Sequence, residues 1–175
     1  MLTLVRAGLA AALIAFAILP ATAQDAKVKD FQLSRLDEAA VKLEAQIKSD
    51  AGKVTKPAAQ LRKDADAAFQ KNDFRAGMVV LGQLVAVAPD DGANWLRLAR
   101  SIRQIKPRDD KEKAFLLDRA ATSAYIGYLR GKDRTVEADS LTVLGDTLAD
   151  QRQWRPALDA MRIALEARES AELRG

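Results

Sequence analysis

Trp95-Leu96-Arg97-Leu98-Ala99-Arg100-Ser101-Ile102 decides the fold of this chain, because Trp95, Leu98, Ala99 and Ile102 occupy the i, i+3, i+4 and i+7 positions of one helix face. The same spacing stands 34 residues earlier in Leu61, Asp64, Ala65 and Ala68, and 46 residues later in Leu141, Leu144, Gly145 and Leu148. A helical segment that recurs in this way marks a stacked array, where each unit covers the apolar face of its neighbour. Such arrays serve as binding scaffolds more often than as enzymes.

Working outward, the stretch from Pro57 to Pro89 predicts a helical hairpin. Leu61, Ala65, Ala68 and Phe69 form one face, Asn72-Asp73 turns the chain, and Phe74 opens a second helix carrying Gly77, Leu81, Leu84 and Val85. A small residue at Gly77 lets the two helices cross closely. Pro89-Asp90-Asp91-Gly92 ends the hairpin and caps the next helix. The second unit opens on Trp95 but is stretched by about twelve residues, with loops at Lys106–Lys111 and Gly131–Arg134. Between them Phe115, Leu116, Ala120, Ala121, Ala124, Tyr125 and Tyr128 give a long apolar face. The third unit pairs Leu141, Leu144, Gly145, Leu148 and Ala149 with Trp154, Ala157, Met161 and Ala164. Trp95 and Trp154 are both expected in the core or between helices. A further helix over about Asp30–Asp50 shows its face in Phe31, Leu33, Leu36, Ala40, Leu43 and Ile47. Gly52 is expected to take the left-handed conformation behind it, with Pro57 in the first turn of the next helix. No run alternates as a strand would, so the class is all-α.

Residues 1–23 stand apart. Arg6 precedes an apolar run from Ala7 to Leu19, and Pro20-Ala21-Thr22-Ala23 has the small residues of a cleavage site, so a signal peptide ending at Ala23 is expected. The run is shorter than the roughly 20 apolar residues of a membrane span. This predicts a periplasmic chain without a stable anchor after cleavage, an uncleaved anchor being the alternative. The chain has no Cys, so packing alone must hold it together. The organisation read here is a signal peptide over 1–23, a helix and linker over 24–56, and the repeat domain over 57–175. The net charge of +4 comes from 28 Lys and Arg interspersed with 24 Asp and Glu. That is a mixed surface, without the basic stripe and stacking aromatics that nucleic acid requires.

The repeated units resemble the tetratricopeptide family over Pro57–Glu169, which implies about three hairpins in a short right-handed solenoid. The first unit departs from that pattern with Leu61 for its tryptophan, Ala68 for its tyrosine and Leu84 where alanine is usual; the second has lost the regular turn. A closer resemblance is to the N-terminal helical region of exported alpha-2-macroglobulin-like proteins of alphaproteobacteria. It rests on Ala39-Ala40-Val41-Lys42-Leu43-Glu44-Ala45-Gln46-Ile47, Asp66-Ala67-Ala68-Phe69-Gln70-Lys71-Asn72-Asp73-Phe74, Ala88-Pro89-Asp90-Asp91, Asn94-Trp95-Leu96-Arg97-Leu98-Ala99-Arg100 and Trp154-Arg155-Pro156-Ala157-Leu158. In that family the helical region precedes macroglobulin domains that trap proteases, often through a thioester. With no Cys, this chain cannot form one.

The absence of His as well as Cys removes the common nucleophile pairs, imidazole ligands and the usual base near neutral pH. Asp90-Asp91 and Asp109-Asp110 read as helix caps and turns rather than catalytic dyads. No catalytic residue, metal ligand or cofactor site is assigned. The resemblance to tetratricopeptide domains implies that first helices line a groove, which makes Arg97, Arg100 and Arg103, with Arg62 and Lys63, the candidate contacts for a partner's carboxylates. The competing reading pairs these arginines with Asp139, Asp146 and Asp150 of the third unit. The expected partner is another protein or peptide, or adjoining macroglobulin-type domains. The rival expectation is a packing module that self-associates and leaves no free groove.

Overall fold

Seven helices and no strand make up the described residues of the computed structural model, 34–172, with side chains described over 35–169. They are α1 (Ser34–Ala51), α2 (Ala58–Gln70), α3 (Phe74–Val87), α4 (Gly92–Arg103), α5 (Asp110–Leu129), α6 (Arg134–Asp150) and α7 (Trp154–Glu172). The all-α expectation holds. The signal peptide over 1–23, the cleavage before Gln24, and Phe31 and Leu33 of the first helix face lie outside the described residues.

The starts of α3, α4, α5 and α6 are set by aspartates. The side chains of Asp73, Asp91, Asp109 and Asp133 accept from the backbone N–H of Ala76, Ala93, Glu112 and Val136 at 3.0, 3.1, 2.7 and 2.8 Å. Each satisfies an amide that the helix itself leaves unbonded, a contribution of about 1 kcal/mol, and each places negative charge on the positive end of the helix dipole. Pro57 stands one residue before its expected place, as the extended N-cap residue of α2.

Consecutive helices pack against each other along the whole run from α2 to α7, and α4 also packs on α6. The turns closing α2–α3 and α6–α7 are built alike. Asn72 and Arg152 both have positive φ, 56° and 62°. Asp73 and Gln153 donate their N–H groups to the carbonyls of Ala68 and Leu148, five residues back, at 2.9 and 2.8 Å. This is the Schellman arrangement of a helix end. Gly52, in contrast, has no positive φ. There α1 closes through i−3 bonds from Lys53 to Asp50 and from Val54 to Ala51, which keep the backbone on the ordinary side of φ.

Trp95 is the largest fully buried side chain, at the middle of a core with Leu61, Leu81, Leu84, Leu98, Ile102, Leu141 and Leu144. Its indole N–H donates to the Pro89 carbonyl at 2.7 Å, so burial leaves no polar atom unpaired. A side chain of this size in such a place contributes on the order of 3–5 kcal/mol. The helix α1 belongs to the same core: Ala40, Leu43 and Ile47 are buried where α1 packs against α3 and α5, whose backbones do not approach each other directly. The helix α5 is the longer of the two, with 20 residues against 14 in α3.

Two apolar residues are not where the sequence pattern puts them. Trp154 is 61% and Phe115 58% exposed. Leu116, next in line, turns inward in place of Phe115, and among the described residues α7 packs only on α6, so none of their helices covers the side of α7 that carries Trp154.

Close approach fixes Gly77 and Gly92. A Cβ at Gly77 would run into the Phe69 ring, as expected of a tight hairpin crossing. A Cβ at Gly92 would stand 2.7 Å from backbone atoms of Gly127, Arg130 and Gly131, none of which can rotate away. Gly92→Ala is expected to destabilise by about 1–3 kcal/mol in urea unfolding. Arg152→Gly, which relieves the left-handed backbone, is expected to stabilise by about 1 kcal/mol.

Candidate functional site

The helix α4 packs on α6 and reaches α2 through side chains, and its arginines are divided between the two. Residues three apart fall roughly 60° short of a full turn, so Arg97, Arg100 and Arg103 fan out instead of forming one row. Arg97 reaches back to Asp66 on α2, with its guanidinium 5.7 Å from the centre of the Phe69 ring. Arg100 pairs with Asp139 on α6 at 2.8 Å. Arg103 pairs with Asp150 at 3.0 Å and donates to Thr147 Oγ1 at 2.9 Å. Arg62 meets Asp91, the N-cap of α4, at 3.2 Å. Lys63 is exposed on α2. Two of the three aspartates named from the sequence, Asp139 and Asp150, thus take the arginines, and Asp139 is shared with Arg168 of α7 at 3.0 Å.

Beside Arg97 and Arg100 the surface opens into a cavity of about 500 Å³ lined by Phe69, Phe74, Arg97, Arg100, Ser101 and Gln104. Phe69 and Phe74 stand on either side of the α2–α3 turn with ring centres 6.2 Å apart, tilted by 32°. Both are half-buried. The sequence reading assigned Phe69 to a core face and Phe74 to a helix start. Their meeting in the groove follows from the tight turn at Asn72-Asp73, which folds i and i+5 onto each other. The result is an aromatic floor flanked by two guanidinium groups, chemistry suited to an apolar side chain next to a carboxylate.

Next to Phe74 in the chain begins a second charge cluster, which the sequence does not single out. Arg75, next to Phe74, grips Glu112 of α5 with two bonds, 2.8 and 3.1 Å, and donates to the Lys106 carbonyl at 2.9 Å. Arg108 adds its backbone N–H and its guanidinium to the same carboxylate. Arg75 and then Arg108 hold the Glu112 carboxyl far below its usual value of 4.5. The loop between α4 and α5 is tied in this way to the start of α3.

Elsewhere, Tyr125 donates its hydroxyl to Asp37 at 2.6 Å, tying α5 to α1. Burial, and then Asp37, push its phenol up from 10.0. A smaller cavity, about 310 Å³, lies between α1 and α3 with Ile47, Val79, Ala86 and Arg119 in its lining. Burial lowers the Arg119 guanidinium. Among the described residues, no cluster of three or more His, Cys, Asp or Glu side chains could hold a metal, and no helix is long and apolar enough to cross a membrane. Asp91 and Asp109, one from each sequence pair, are spent as helix caps. Compared with known protein families, curated proteins and solved structures, the chain gives no match.

The lowered value at Glu112 carries a pH dependence. A carboxylate whose pKa falls on folding adds stability above its unfolded value, and that stability is lost as pH drops through the folded one. Glu112→Gln is therefore expected to be less stable than the parent at neutral pH, with a gap that narrows from about pH 4.5 downward. Urea unfolding over a pH series measures it.

Proposed function

We propose that this chain is an exported, periplasmic helical-repeat module of tetratricopeptide type that binds another protein through the groove beside α4. The observation that carries this reading is the meeting of Phe69, Phe74, Arg97 and Arg100 around one open cavity. The ion pairs already present do not block it. Arg100 remains half-exposed in its pair with Asp139, and exposed pairs contribute only about 0–1 kcal/mol. A partner carboxylate exchanges with Asp66 or Asp139 at small cost, while an apolar side chain beside it covers the two phenylalanines. The ligand class is thus an acidic peptide segment with an apolar anchor. Kinship with the helical region of alpha-2-macroglobulin-like proteins, as its N-terminal part or a truncated relative, is supported by the sequence segments alone and fits a module that serves neighbouring domains or a client protein.

Display of a random peptide library against the purified protein tests this. Enriched peptides are expected to pair an apolar residue with Asp or Glu within a few positions, and to bind with a micromolar Kd. Arg100→Glu keeps the helical spectrum and weakens them by roughly tenfold or more. Enriched peptides that bind the variant equally well would overturn the groove.

A further inference from the structure

The α7 helix carries a stripe of large apolar side chains that nothing among the described residues covers. Trp154, Leu158 and Leu165 are 61%, 68% and 59% exposed, and at 100° per residue they fall within about 40° of one another around the helix. Each has a counterpart in the hairpin α2–α3. The offset that superposes the two matching turns, Asn72 on Arg152 and Asp73 on Gln153, also places Phe74 on Trp154, Met78 on Leu158 and Val85 on Leu165. Those three counterparts are half-buried or fully buried, on the helix that packs against α4. The face that in α3 receives the next helix is in α7 left open.

Charges beside the stripe state what fits there. Arg155, Asp159, Arg162 and Glu166 run along one flank at i, i+4, i+7 and i+11, alternating in sign. Only Arg162 and Glu166 pair within the helix, at 2.7 Å, and both are more than half-exposed. An antiparallel copy of the same helix presents this flank in reverse order, so Arg155 faces Glu166 of the copy and Asp159 faces its Arg162. A parallel two-fold copy would carry this flank to the opposite side of the interface, where these charges do not meet. In the antiparallel register Trp154 stands opposite Ala167 and Leu158 opposite Ile163 of the copy, so Trp154 lies about 3 Å along the axis from Leu165 of the copy and the two Leu158 side chains flank the two-fold axis, about 7.5 Å apart along it.

We propose that two copies of this chain associate through α7, antiparallel and about a two-fold axis, burying Trp154, Leu158 and Leu165. One helix from each side is a small interface, below the roughly 1,200–2,000 Å² of tight complexes, so the affinity is micromolar. The surface is separate from the Phe69–Phe74 groove, and the two readings stand or fall independently.

Sedimentation velocity across a concentration series tests it. The expected result is a monomer–dimer equilibrium, with a blue shift of tryptophan emission on concentration that comes from Trp154, because Trp95 is already fully buried. Leu158→Glu, at an exposed position that the fold does not need, weakens association roughly thirtyfold or more with helicity unchanged. Arg155→Glu weakens it, and adding Glu166→Arg to that variant restores it. A monomer at every concentration, a dimer indifferent to Leu158→Glu, or a failure of the charge reversal to restore pairing would each overturn the proposal. A monomer whose Trp154 emission is already blue-shifted would show instead that the chain covers its own stripe.

Discussion

The burial of Trp95 is the interaction on which the other parts of this structure depend. It anchors α4, and α4 touches α3, α5 and α6, so the middle helix of the array is placed by one side chain and its bond to the Pro89 carbonyl. An amphipathic helix cannot satisfy its apolar stripe alone. Each helix here is stable because a neighbour covers it, and α4, like α3, α5 and α6, packs on three others. Its polar flank then has nowhere to point but across the edges of α2 and α6. That is why the candidate groove and the arginine pairs lie there.

Much of this was legible in the sequence, for a physical reason. Apolar residues at three- and four-residue intervals leave helices no second interpretation, and Asp73, Asp91, Asp109 and Asp133 mark the starts because a short carboxylate before an apolar run has a backbone amide to satisfy. The turn at Asn72-Asp73 was legible for the same local reason. What was not legible depends on distance in space. Arg97 and Arg100 take carboxylates on two different helices, Asp66 of α2 and Asp139 of α6, and only the packing in space shows which one each meets. Glu112 looks like an ordinary residue of a helix's first turn, and its grip by Arg75 exists only because the fold brings the start of α5 to the start of α3. Trp154 has a sequence pattern that says buried; only the absence of a following helix among the described residues leaves it open.

The aromatic pair belongs to both groups. Phe69 and Phe74 are each readable as helix-face residues, yet their contact is a property of the turn between them. A hairpin that closes in three residues brings the last turn of one helix against the first of the next, and leaves the outer edges of both rings accessible. Gly77 has the same role from below: a Cβ there would collide with the Phe69 ring, so the missing side chain holds the ring in place. Function in such a fold is not added to the scaffold afterwards. The closeness of the crossing that stabilises the hairpin is also what presents its aromatic edge.

The two candidate surfaces differ in energetic character. Around the groove, every arginine has a protein carboxylate already, so a ligand there replaces one exposed ion pair with another and gains chiefly from the phenylalanines. Along α7 Trp154, Leu158 and Leu165 are more than half exposed among the described residues, and association removes that surface from water, at about 25 cal/mol per Å² of apolar surface. Among the described residues α7 makes no backbone contact with α4, so an open stripe at α7 does not loosen the packing around Trp95 three helices away. The core can therefore be complete while one end is not, and the exposed end is free to be recognised by whatever matches its alternating charges.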